Sequence, residues 1–323
     1  MASKGLLLFR IMILLFLLAG CSDNIDMIKK VKSFDCEDTD TMHLYPVIDE
    51  LYSLLNRTHD RFRENSELFK IGRSARLHKS IPMIRVGYSA EDTELRFLIV
   101  AGTHGDEAAP VTALLYFLTR FLDEGNGQKL STQKISVDIV LVHNPDGYVE
   151  NERENGNGID LNRNFPFGNI QKQPEPETKA MLNLINRYKY KASLFLHSGN
   201  EDIYENLVRV PIEYNRQGLG VFYPSENAEL IRLRDLIIAE GNSDDPPWHS
   251  SSEAVNAPGI ASDWCMSGFM KKEWIPSGTE TCPNPHPSVS LEICSPKQPL
   301  DERQLQREKE ELYGILYRVI YNF

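Results

Sequence analysis

Eight His and five Cys stand among the 323 residues, and the spacing of a few side chains limits the chemistry open to the chain. In Gly102-Thr103-His104-Gly105-Asp106-Glu107 an imidazole and a carboxylate lie three residues apart. Such a pair can converge on one ion, and a second imidazole would complete the His2Glu set of catalytic zinc sites, which keeps a coordination position for water. His197, followed by Ser198 and Gly199, is the best candidate for that second imidazole. A His-x-x-Glu pair alone is more often a loop histidine beside a surface glutamate, so it needs company. Near the C-terminus, Val289, Leu291 and Ile293 alternate with Ser290 and Glu292, which turns Glu292 away from one apolar face. Taken alone, Glu292 would be a solvent-facing carboxylate on an edge strand.

These residues need a scaffold, and the hydrophobic pattern describes one. Leu95–Ala101 is a short apolar run typical of a buried strand, and His104 follows it directly. Ser193–His197 is a second such run, with His197 at its end. Further strands are expected at Pro82–Val86, Val137–His143 and Ser288–Ile293. Helical spacing appears at His43–Leu55, Pro110–Leu122, Pro176–Tyr188, Ala228–Glu240 and Asp301–Tyr321. The order implies a single α/β domain with a mixed, mostly parallel central sheet flanked by helices. Open α/β sheets place their chemistry at the carboxyl ends of strands, which is where His104 and His197 fall. Pro and Gly cluster at Asp244–Gly259 and Pro276–Pro287, which read as surface loops beside a site rather than as domain boundaries.

Asn144-Pro145-Asp146-Gly147-Tyr148, Arg153 and Gly158-Ile159-Asp160-Leu161-Asn162-Arg163-Asn164-Phe165-Pro166 supply the missing company. With these motifs in this order, the chain resembles the zinc carboxypeptidase family over residues 43–323, and the combination is far more specific than any one element. The resemblance implies one Zn2+ per chain held by His104, Glu107 and His197, with Glu292 moving the water's proton as general base and then acid. It further implies that Arg153 stabilises the oxyanion, that Asn162 and Arg163 bind the free carboxylate of a peptide's C-terminus, and that Ser262 helps to select the last side chain. These roles suit the residue types. A carboxylate beside a metal-activated water can take and return a proton, and a guanidinium fork matches two carboxylate oxygens. Without the other motifs, Arg153 and Arg163 would read as ordinary surface pairing.

Two departures from the family pattern bear on substrate. Simple counting puts Val255 where digestive and regulatory members carry a mobile Tyr, and Ser262, small and neutral, precedes Asp263-Trp264 at the selector position. The sequence thus supports a metallocarboxypeptidase acting on peptides, and leaves two other readings open. One is a zinc amidohydrolase or deacylase acting on small N-acyl amino acids; the other is a non-catalytic lipoprotein that keeps the fold for binding.

The first residues belong to export and not to the fold. Met1–Gly20 carries Lys4 and Arg10 ahead of the apolar run Ile11–Ala19, which fits a secretory signal and is too short to span a bilayer stably. Leu18-Ala19-Gly20-Cys21 resembles the lipobox of bacterial lipoproteins, so lipidation of Cys21 and attachment to a bacterial cell envelope, on its periplasmic or extracellular face, are expected. Residues 21–42, rich in Asp and Glu, read as a polar tether to the domain at 43–323. In an oxidising setting Cys36, Cys265, Cys282 and Cys294 could form two bridges in any of three pairings, and none shows metal-ligand spacing. Composition completes the exclusions. With 41% hydrophobic and 25% charged residues the chain is neither disordered throughout nor a multi-span membrane protein. Its net charge of −11 argues against nucleic acid held through phosphates.

Overall fold

A computed structural model of the chain describes residues 45–89, 93–168, 173–198, 207–209, 214–215, 221–222, 228–241, 249–251, 259–270, 272, 275–293 and 302–323. Cys21, Cys36, Val255 and Cys294 lie outside the described residues. Helix α1 (Ile48–Arg61) starts five residues later than its apolar spacing suggests. Pro46 disfavours helical backbone at Tyr45, so the helix begins beyond it. Its buried residues Ile48, Leu51, Leu54, Leu55 and Thr58 form one stripe. Strand β1 (Ser66–Arg73) pairs antiparallel with β2 (Ser80–Gly87) and carries an irregularity between Lys70 and Gly72.

Strand β3 (Leu95–Val100) is followed by α2 (Ala108–Asp123), the short α3 (Asn126–Thr132) and β4 (Ile135–Val140). Regular pairing in β4 stops three residues before the expected end at His143. The contact with the outgoing chain of β3 nevertheless continues, because His143 N–H donates to Ala101 O (3.0 Å) and Asn144 N–H to Gly102 O (2.8 Å). Next come α4 (Pro145–Glu150), α5 (Pro176–Arg187) and β5 (Ala192–Ser198). The short strands β6 (Leu207–Arg209), β7 (Tyr214–Asn215) and β8 (Val221–Phe222) precede α6 (Ala228–Gly241) and β9 (His249–Ser251). The chain ends with α7 (Ala261–Met266), β10 (Ser288–Ile293) and α8 (Glu302–Asn322).

Eight strands form one sheet in the order β1-β2-β4-β3-β5-β10-β6-β9, and β7 pairs with β8 separately. The four central strands β4, β3, β5 and β10 run parallel, while β2 joins β4, and β6 joins β10, antiparallel. This is the mixed, mostly parallel sheet that the hydrophobic runs implied. Its centre is covered on both faces, and Phe97, Leu98, Ile99 and Val100 of β3 are all fully buried. Helix α2 is buried nearly all round, consistent with a position under α8. Because β3, β5 and β10 are parallel neighbours, their carboxyl ends meet at one sheet edge.

Candidate metal centre

The edge where β3, β5 and β10 end carries His104, His197 and Glu292. Gly102 takes a positive φ of 60° as the chain leaves β3, where a Cβ would lie 3.1 Å from Val142 Cα. Gly105 rests directly on Gly147 of α4, since a Cβ there would come within 1.9 Å of the Gly147 carbonyl carbon. The Asn-Pro-Asp-Gly motif therefore seats the histidine loop. Pro145 begins α4, where it has no N–H to leave unpaired, and the Asn144 side chain caps the helix by accepting Gly147 N–H at 2.9 Å. Asp146 ties in a further loop by accepting the N–H groups of Arg76 (2.7 Å) and Leu77 (3.2 Å). Glu107 then sits at the N-cap position of α2.

Three buried side chains converge here. His104 Nδ1 lies 2.7 Å from Glu107 Oε1, His197 Nδ1 lies 3.0 Å from Glu107 Oε2, and the two Nδ1 atoms are 3.3 Å apart. Among the described residues, these three form the group of His, Cys, Asp and Glu ligand atoms close enough to share an ion. His104 Nε2 lies 3.2 Å from Asp160 Oδ1, so Nδ1 is the ring nitrogen turned toward the cluster. A carboxylate behind a histidine is the usual support for a metal-binding imidazole. The electrostatics agree. Burial opposes charge on His104, yet Glu107 and Asp160 outweigh it and raise its pKa to about 9. Burial likewise opposes charge on Glu107, but His104 and His197 hold it well below the usual carboxylate range. Acids that favour a proton at this point favour a cation there equally, so the donor set fits a zinc ion.

Glu292 is the register partner of His197 on the adjacent parallel strand, so both side chains project on the same face, and Glu292 is half-buried. Arg153 reaches the cluster from the loop after α4. Its Nε donates to Asp160 Oδ2 (3.0 Å), its Nη1 lies 3.3 Å from His104 Nδ1, and about a third of the side chain stays exposed, at 33%. Asp160 joins the two and is itself held well below the carboxylate range, against the effect of burial, by His104, Arg153 and Arg163. No role was read for Asp160 from the sequence, although an acid just ahead of the Asn-Arg pair was visible. Its side chain also accepts Asn162 N–H (2.8 Å), starting the 3-10 turn Leu161–Arg163.

That turn is braced from the far side. Asn162 Oδ1 accepts Ala261 N–H (3.2 Å), and Gly259, at φ 85°, sits so close that a Cβ would lie 2.1 Å from the Arg163 carbonyl carbon. Arg163 Nη1 donates to Asn162 O (2.8 Å), and the guanidinium is near enough to Asp160 to lower its pKa. Ser262 is brought to the same face as Glu292, but it is buried, with its Oγ 3.0 Å from Ser290 Oγ. Ser290, two residues before Glu292, was not singled out in the sequence, and the strand alternation there was the available signal.

A family model described as zinc carboxypeptidase matches residues 51–244. Carboxypeptidase D of Anas platyrhynchos is 25% identical over 250 residues, covering 65% of this chain and 17% of that protein. Murein peptide amidase A of Escherichia coli K12 is 35% identical over 114 residues, covering 28% of this chain and 43% of the amidase. The chain thus spans well under two thirds of the length of either relative. Among solved structures, bovine thrombin-activatable fibrinolysis inhibitor in complex with tick carboxypeptidase inhibitor superposes with a TM-score of 0.67 at 20% identity, covering 85% of this chain and 96% of that one. Carboxypeptidase A from Helicoverpa armigera gives a TM-score of 0.67 at 16% identity, covering 93% and 79%. With the family match extending over more than half of its residues and the sheet superposing on these folds, the chain belongs to the zinc carboxypeptidase family.

Proposed function

We propose that the chain is a zinc-dependent carboxypeptidase that hydrolyses the last peptide bond of peptides with a free C-terminal carboxylate. One observation carries this reading: His104, Glu107 and His197 converge, with Glu292 in register beside His197. His104, Glu107 and His197 would hold the ion. When bound, zinc supplies a Lewis acid that acidifies a water and polarises the scissile carbonyl. Glu292 would hold a proton on its carboxylate, taken from the attacking water and returned to the leaving amine. Arg153, oriented by Asp160, donates to the carbonyl oxygen as negative charge develops there. Arg163 and Asn162, on the braced turn, bind the substrate's terminal carboxylate. Asp160, on Nε2, keeps the His104 Nδ1 atom aimed at the cluster.

The similarity to a murein peptide amidase favours a second reading, in which the same site cleaves an amide in a short cell-wall peptide. The chain, purified with zinc, is to be assayed on N-blocked dipeptides, their C-amidated forms, muropeptides and N-acyl amino acids. The expected result is about one zinc per chain and cleavage that needs a free C-terminus. Activity confined to N-acyl amino acids, or zinc content unchanged by His197→Ala, would sink the carboxypeptidase reading. The proposal extends to location: Cys21 carries a lipid that holds the domain at a bacterial envelope. No helix of the described residues is long and apolar enough to cross a membrane. Radiolabelled fatty acid should enter the wild-type chain and not Cys21→Ser; equal labelling would remove the anchor from the account.

A further inference from the structure

Cys265 lies on α7 and Cys282 on the segment leading into β10; both are buried and both are free thiols. Between them the chain leaves α7 and returns to lie against it. Trp264 Nε1 donates to Glu280 O (2.7 Å), Cys282 N–H to Ser267 Oγ (2.8 Å) and His286 N–H to Cys265 O (3.1 Å). These three bonds fasten the returning segment to the helix on either side of both cysteines. Gly268 is pressed against the same segment, where a Cβ would lie 2.5 Å from Pro285 Cγ. Burial raises the Cys265 pKa well above the usual range, and the nearby Cys282 sulfur raises it further. Burial pushes Cys282 up to about 11. Neither is therefore poised as a nucleophile, and neither belongs to the group of side chains that could share an ion.

We propose that Cys265 and Cys282 are a disulfide site that closes the loop of residues 266–281. The bond needs Cβ atoms about 3.8 Å apart; Cys265 O is bonded to the returning segment at His286, the Cys282 N–H to Ser267 two residues after Cys265, and the Cys282 sulfur is near enough to act on Cys265. The oxidant is a disulfide, either small, such as oxidised glutathione, or carried by an oxidoreductase. One cysteine, as its thiolate, attacks a sulfur of that disulfide and displaces the first thiol. The second cysteine attacks the mixed disulfide and displaces the other. Two electrons pass to the oxidant, which leaves as two thiols bearing the two protons. Burial keeps both thiols protonated in the folded chain, so the exchange belongs to folding, before α7 docks. The closed loop bears on the site, because Glu280 N–H donates to Pro166 O (2.9 Å) and Gly168 N–H to Thr279 Oγ1 (2.7 Å). It would brace from below the segment that presents Asn162 and Arg163.

The test is refolding of the full chain in a glutathione buffer rich in the oxidised form, followed by alkylation in denaturant and peptide mapping without reduction. The expected result is one linked peptide pair containing Cys265 and Cys282, lighter by two hydrogens than its parts. Reduction should lower Tm by about 5–10 °C. Alkylation of both residues overturns the proposal, as does linkage of either one to Cys36 or Cys294. The readout is covalent, so it is independent of whether any peptide is cleaved.

Discussion

Glu292 and His197 are neighbours because β10 and β5 are parallel and in register, so Glu292 is presented on the face of His197 by a strand and not by a loop. A single side chain in that position must serve first as base and then as acid. Glu292→Gln is accordingly expected to keep the fold and the bound zinc while lowering turnover by several orders of magnitude, read by kcat alongside metal analysis. Near-normal kcat would show that the proton moves by another route. At this scale the gathering of His104, Glu107 and His197 was legible, since His104 and Glu107 follow one apolar run and His197 ends another, and the strand carrying Glu292 was legible from its alternation. Asp160 and Ser290 were not, because their roles arise from partners distant in the chain: His104 is 56 residues from Asp160, and Ser262 is 28 from Ser290.

Among the elements, α8 shows how a helical pattern can carry a polar residue into the core. Leu305, Leu312, Ile315, Leu316, Val319 and Ile320 are buried at helical spacing, and Glu308 falls in the same stripe at 2% exposure. Both of its carboxylate oxygens are buried without a hydrogen-bond partner. Burial raises its pKa to about 9, helped by Glu311 and opposed by Arg307. A carboxyl raised in the fold stabilises fully below its unfolded pKa, and that contribution is lost as pH climbs toward 9. Glu308→Gln, neutral at every pH, should therefore be more stable than wild type at pH 7 by about 3 kcal/mol and no different near pH 4, by urea unfolding. An equal difference at both pH values would show packing and not charge at work. Helix α8 was legible to within a residue at each end, as were α5 and α6. Strand β1 was not, because its exposed Glu67, Lys70 and Arg73 and its irregular pairing hide any alternation.

At the scale of the whole molecule, one buried imidazole works against stability in acid, opposite in sign to Glu308. His286 is buried beside the amino end of β5, with Nδ1–H donating to Asn284 O (2.8 Å) and Nε2 3.0 Å from Ser193 Oγ. Burial lowers its pKa to about 4, only partly offset by the Asn284 carbonyl. Above the unfolded value of about 6.5 both states are neutral and nothing is lost. As pH falls from there toward 4 the unfolded chain takes the proton first, and the contribution of His286 alone should drop by about 1.4 kcal/mol per pH unit. His286→Asn should flatten that part of the profile in urea titrations; an unchanged slope would assign the acid sensitivity elsewhere. The sequence by itself determined the strand runs, the helices that carry strong apolar spacing, and the identity of the ion-binding types, because these depend on local periodicity and on residue chemistry. Only the tertiary structure decided that the ends of β3, β5 and β10 share one edge, that Gly105 can rest on Gly147, and that Cys282 returns beside Cys265. Those facts depend on strand order and on close approaches between distant segments, which no local pattern encodes.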